Sequence, residues 1–169
     1  MPVVSNTSPL LNLAIINHLF LIKNQFGKIL IPNGVLTELK INDNLPGSQQ
    51  LQEAIRSDWI AIHQVENQAL VQLLRRELDR GEAEAIALAV QLNADYLLLD
   101  ERDGRRIART FGLNITGVLG IILQGWHDGE VLSVIELINQ LRTQANFHIA
   151  PNLEQQILRE AGEIDIGGD

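Results

Sequence analysis

A chain of 169 residues, 46% hydrophobic and 20% charged, is long enough for one core and too apolar to be largely disordered. The absence of cysteine excludes disulfides and thiolate metal sites, and no apolar run reaches the roughly 18 residues a membrane helix needs. The net charge of −8 argues against a dedicated duplex-binding protein. Seven of the thirteen basic residues, however, lie at Arg75, Arg76, Arg80, Arg102, Arg105, Arg106 and Arg109, which leaves room for a basic rim beside an acidic site. The start, Met1 to Pro9, has no basic n-region of a signal peptide, so a cytoplasmic protein without membrane contact is expected.

Val3-Val4-Ser5 reads as a first buried strand. Asn6-Thr7-Ser8-Pro9 follows, with Ser8 suited to a helix N-cap and Pro9 to the first helical position, and a nearly all-apolar helix runs from Leu10 to Ile16. A second short helix spans 19–26 and closes near Gly27; strand 29–31, a turn at Pro32-Asn33 and a helix over 35–41 come next. After a polar loop with Pro46 and Gly47, the pattern predicts helix 49–57, strand 59–62, helix 68–78, helix 82–93, strand 96–99, helix 104–111 and a short strand at 114–116. From Val118 onward it is helical, over 118–126, 131–143 and 151–161, and the terminal Gly167-Gly168-Asp169 is expected to fray.

Strands that alternate with helices imply an α/β fold, a mainly parallel sheet covered on both faces. In such a sheet the helix starts lie at the same edge as the strand ends, where ligands bind. Asn6 follows the first strand, Glu38 sits in the second turn of the helix after the second strand, Glu82 opens the helix feeding the next strand, and Asp100 closes that strand with Asp103 one turn beyond. Hard divalent cations take oxygen ligands, and magnesium often needs only one or two carboxylates. Each acid also has a plain structural reading. Glu82 suits a helix dipole, Glu38 a solvated face, Asp100 a turn or cap, and Asp103 the N-cap of helix 104–111. Only their convergence favours chemistry. Glu84 stands two residues from Glu82, off its face, and is expected at the surface beside a basic residue. Arg102, Arg105, Arg106 and Arg109 share one helical face, either as a solvated stripe or as phosphate contacts.

Other chemistries lack support. His18, His63, His127 and His148 are scattered, Gly117-Val118-Leu119-Gly120 has no phosphate-loop lysine, and no Gly-x-Ser-x-Gly elbow occurs. Trp59 and Trp126 are isolated and read as core residues.

Val3 to Leu10, Glu38, Gly81-Glu82-Ala83-Glu84-Ala85-Ile86, Leu99 to Asp103, Thr116 to Gly120 and Leu158 to Glu163 together resemble the PIN domain, in particular a compact prokaryotic branch. The resemblance spans nearly the whole chain. It implies a three-layer α/β/α sandwich in one domain over 1–169, with an α/β core to about 117, C-terminal helices over 118–163 and a tail at 164–169. It further implies a magnesium- or manganese-dependent ribonuclease. Many such proteins are toxins of type II toxin–antitoxin pairs, restrained by a small antitoxin and often dimeric. Carried onto this chain, the metal positions are Asn6, Glu38, Glu82, Asp100 and Asp103, with Ser8 in support. Glu38, Glu82 and Asp100 would be catalytic, and Arg102, Arg105 and Arg106 candidate phosphate contacts. One departure stands out: the family's first acid, an aspartate, is Asn6 here. The amide keeps a carbonyl oxygen but removes a negative charge. A weak or inactive module that binds RNA or protein is therefore the alternative expectation.

Overall fold

The computed structural model describes residues 1–163. The expected fraying of Gly167 to Asp169 lies outside them. Five short β-branched or leucine-rich runs form the sheet: β1 (Val3–Ser5), β2 (Ile29–Ile31), β3 (Ile60–Ile62), β4 (Tyr96–Leu98) and β5 (Ile115–Thr116). Their order is β3-β2-β1-β4-β5, and every pairing is parallel. The chain walks one way from β1 to β3, returns to the other side of β1 with β4, and continues to β5. The reversal makes the β1/β4 boundary a topological switch point, where the carboxyl ends open a crevice.

The helices are α1 (Thr7–Ile15), α2 (Phe20–Phe26), α3 (Asn33–Leu39), α4 (Ser48–Arg56), α5 (Gln68–Leu74), α6 (Arg80–Leu92), α7 (Arg102–Thr110), α8 (Val118–His127), α9 (Val134–Gln144) and α10 (Pro151–Glu160). Parallel strands need crossovers, so helices cover both faces of the sheet and give the expected sandwich. The alanine-rich α6 packs on β1 and β4, because Ala83, Ala85, Ala87 and Ala89 let its axis come close to the strands. It is flanked by α3, α5 and α7. Helix α8 packs on α1 and α2, so it completes the sandwich. Val118, Ile121, Ile122, Val134, Leu137, Ile138 and Leu141 join the same buried cluster as the sheet.

Several boundaries move toward the sheet's carboxyl edge. Helix α1 begins at Thr7 with Asn6 as N-cap, so the expected cap at Ser8 is corrected: the Ser8 hydroxyl is drawn to an acid on another element. Helix α7 begins at Arg102 after Glu101, which corrects the expected cap at Asp103. Trp59 and Trp126 are half-buried against the core, as expected.

Candidate functional site

The carboxyl edge is built from two hydrogen-bonded groups. In the first, Asn6 caps α1 at the end of β1 and is almost wholly buried. Its Nδ2 donates to Glu101 Oε2 at 3.1 Å, and the Ser8 hydroxyl donates to Glu101 Oε1. In the second, Glu38 of α3 accepts from the Thr7 hydroxyl at 2.6 Å and from the Gly81 N–H at 3.1 Å. Thr7 follows Asn6 directly, so the two groups are neighbours across the start of α1. Glu82 feels the charges of both groups, through Glu101 and Glu38. It is held by a capping box in which the Glu82 N–H donates to Asp79 Oδ1 at 2.8 Å and the Asp79 N–H donates to Glu82 Oε2 at 3.2 Å. Asp100, just beyond β4, accepts from the Val118 N–H at 3.0 Å through Oδ1. A methyl group at Gly117 would overlap that same oxygen.

The electrostatics show how crowded the acids are. Burial raises the Glu82 carboxyl to about 7, with the charges of Asp79, Glu101 and Glu38 adding to it and the Asp79 N–H opposing it. Burial also raises Asp100 to about 6, against the pull of the Val118 N–H and the Arg105 guanidinium and with a push from Glu101. Such shifts in a cleft mark a functional-site candidate. Two oxygens at this edge add a second sign: among the described residues, Asn6 Oδ1 and Asp100 Oδ2 are buried with no hydrogen-bond partner, as is Asp95 Oδ2 at the other end of β4. Buried polar atoms are nearly always satisfied, and Asn6 and Asp100 lie at the ends of adjacent strands.

A family model described as PIN domain matches residues 2–163. The chain belongs to the PIN-domain family. A PilT N-terminus domain protein from the hyperthermophilic archaeon Sulfolobus solfataricus has a structure similar to this one, with 16% sequence identity and a TM-score of 0.48. That match covers 73% of this chain and 92% of the archaeal one. No curated protein matches the sequence.

PIN domains are generally nucleases that use divalent metal ions, so the fit of such an ion is a question of donors. Among the described residues, no three His, Asp or Glu side chains enclose an ion together. The Asn6 Oδ1 and Asp100 Oδ2 atoms are nonetheless hard oxygen donors, and the charge of Glu101 reaches both Asp100 and Glu82. Magnesium or manganese held by one or two carboxylates and several waters suits this set; a cage of three carboxylates does not.

The PIN edge thus brings together Asn6, Ser8, Glu38, Glu82 and Asp100. Asp103 is exposed in the first turn of α7, and its carboxylate has no hydrogen-bond partner among the described residues. Glu101, which sequence reasoning missed, occupies the place between Asn6 and Glu82. It lies in the acidic run Asp100-Glu101-Arg102-Asp103, and the early start of α7 turns it back toward α1. Thr7 was missed too, since a hydroxyl before a helix reads as capping. Arg105 faces inward, donating from Nε to the Leu99 carbonyl at 2.7 Å. Arg102 is exposed, and Arg106 reaches Glu77 at 3.5 Å. Glu84 is not at the surface as expected but buried, since α3 covers that face of α6; the expected local pairing is present, with Arg80 Nε at 2.7 Å.

Proposed function

We propose that this protein is an endoribonuclease that uses magnesium or manganese, working as the toxin of a type II toxin–antitoxin pair with a small antitoxin as its inhibitor and a homodimer or higher oligomer as its assembly. The observation that carries the nuclease reading is the pair of unsatisfied buried oxygens, Asn6 Oδ1 and Asp100 Oδ2, set at the switch point among crowded acids. The toxin role and assembly rest on the resemblance of the motifs. When bound, the ion would neutralise phosphate charge and lower the pKa of a bound water. Asn6 and Asp100 would hold it, with Glu38, Glu82 and Glu101 around it.

The chain's own contribution is positional and acid–base. Asp100 is fixed through one oxygen by Val118, which leaves the other to face the ligand. Glu82, at about 7, can hold or release a proton near neutral pH and so orient and deprotonate the attacking water. Arg102 and Arg106 stand exposed beside the edge to meet backbone phosphates, while Arg105 braces Asp100.

The test is cleavage of RNA on a denaturing gel with manganese or magnesium. Chelation should abolish it, and Asp100→Asn should lower the rate by at least about a hundredfold. Cleavage that survives both would remove the reading. The Asn6–Glu101 bond supports a second reading, a non-cleaving PIN module in which the amide serves as a structural tie. It requires an inert wild type and partial gain of cleavage in Asn6→Asp.

A further inference from the structure

Helices α3 and α6 exchange carboxylates. Glu84 of α6 accepts from the Gly34 N–H of α3 at 3.3 Å, and Glu38 of α3 accepts from the Gly81 N–H of α6 at 3.1 Å. Gly34 and Gly81 each occupy the second position of their helix, where the N–H has no partner within the helix. Residue 34 meets 84 and residue 38 meets 81, so the helices run antiparallel where they touch and the two bonds lie about one turn apart. Neither position has room for a side chain while the two carboxylates stay where they are. A methyl at Gly81 would lie 2.5 Å from Glu38 Oε2, and one at Gly34 would overlap the Glu84 carboxylate.

The two acids differ in their other contacts. Glu38 also takes the Thr7 hydroxyl and belongs to the candidate site. Among the described residues, the hydrogen bonds of Glu84 go only to Gly34 and to Arg80, whose side chain is half-exposed. Burying a carboxylate is costly, and a well-packed apolar side chain would hold two helices together with less penalty. What an apolar residue lacks is direction: only an acceptor at that position fixes Gly34, and with it the register of α3 that carries Glu38 to Gly81.

We propose that Glu84 is a positioning residue, which acts through Gly34 to hold Glu38 in the site. The catalytic half of this proposal rests on the nuclease reading above; the geometric half does not. Amide hydrogen exchange by NMR on the full chain, free of metal, reads the geometry. In Glu84→Ala, exchange at Gly81 should quicken by at least about tenfold relative to Leu88, whose amide reports opening of α6 itself. Glu84→Gln retains an oxygen for the Gly34 N–H and should recover most of the protection. Should Glu84→Ala not fold, Gly34→Ala displaces the same carboxylate and serves in its place. Loss of protection at Gly34 with Gly81 unchanged would overturn the proposal.

Kinetics read the consequence. Glu84→Ala should lower kcat for RNA cleavage about tenfold with KM within about twofold, a loss confined to the transition state, and Glu84→Gln should restore it. A Gly81 response without a change in kcat would reduce Glu84 to a helix clamp and overturn its positioning role. A wild type that does not cleave RNA would remove the nuclease reading and leave the exchange result to decide the geometry.

Discussion

Asn6 holds an amide where the resemblance to the PIN domain implies an aspartate, and the amide has a use that an ionised acid could not fill. Its Nδ2 donates to Glu101, while its Oδ1 has no partner among the described residues. Asn6→Asp would replace that donor by a second carboxylate facing Glu101. Without metal, the variant should be less stable by about 1–3 kcal/mol in urea unfolding, the usual cost of breaking a buried polar pair. The added charge should tighten manganese binding by at least about tenfold in calorimetric titration. Destabilisation with no gain in affinity would make Asn6 a tie between β1 and α7 and nothing more. The same residue shows a limit of reading chemistry from a sequence. The substitution was visible, but its compensation was not, because nothing in the spacing of residues 6 and 101 says that they touch. Glu101 and Glu84 were obscured for the same reason. Helical spacing assigns an acid to a face, whereas the element packed on that face decides whether it is buried.

Among the elements, the strands were the most legible. Val3-Val4-Ser5 and Ile29-Leu30-Ile31 are short, β-branched and bounded by turn residues, so the expected ranges coincide with β1 and β2. Helix starts were less so. Helices α3, α6 and α7 all begin two residues before their apolar or charged pattern does; at α6 the first turn is capped from outside the pattern, as Asp79 accepts from the Glu82 N–H, whereas α3 and α7 start without a side-chain cap. The first turn of α6 carries Glu82 and the residue ahead of α7 is Glu101, so two of these poorly legible starts lie at the chemistry. The β5–α8 junction offers a clean test. Gly117 has an extended backbone, φ −138° and ψ −171°, that any residue can adopt. Its smallness matters only for space. A Cβ there would overlap Asp100 Oδ1 and lie 2.8 Å from the Arg105 guanidinium. Gly117→Ala should therefore displace Asp100 with no backbone penalty. RNA cleavage should fall by at least about tenfold while unfolding free energy changes by no more than about 1–3 kcal/mol. A variant with wild-type kcat would place Asp100 outside the reaction.

For the molecule as a whole, the crowded edge should make stability fall as pH rises through the range where its two raised acids titrate. Glu82 at about 7 and Asp100 at about 6 both sit above the ordinary carboxylate values of 4.5 and 3.8. Between those limits the folded chain holds protons that the unfolded chain releases, so stability falls as pH rises, and the loss is complete above about 7. Each group should contribute on the order of 1–3 kcal/mol, since one pKa unit corresponds to about 1.4 kcal/mol and partial solvent access reduces the full shift. In a chelating buffer, the melting temperature should thus be lower at pH 8 than at pH 5.5 by several degrees, at roughly 2–4 °C per kcal/mol for a chain of this size. Glu82→Gln isolates the cause. Glutamine can still accept the Asp79 N–H and so keeps the capping box, but it carries no charge to desolvate. That variant should melt higher than wild type at pH 8, match it more closely at pH 5.5, and lose cleavage. Millimolar magnesium should raise the wild-type melting temperature most at pH 8, where the acids are ionised, and raise that of Glu82→Gln less. A wild type that is as stable at pH 8 as at pH 5.5 without metal, or a Glu82→Gln profile that parallels it, would show that the acids at this edge are not under electrostatic strain. The stability curve and the cleavage assay are thus two views of one arrangement, in which the charges expected to weaken the fold in a chelating buffer are the ones proposed to draw the ion to the switch point.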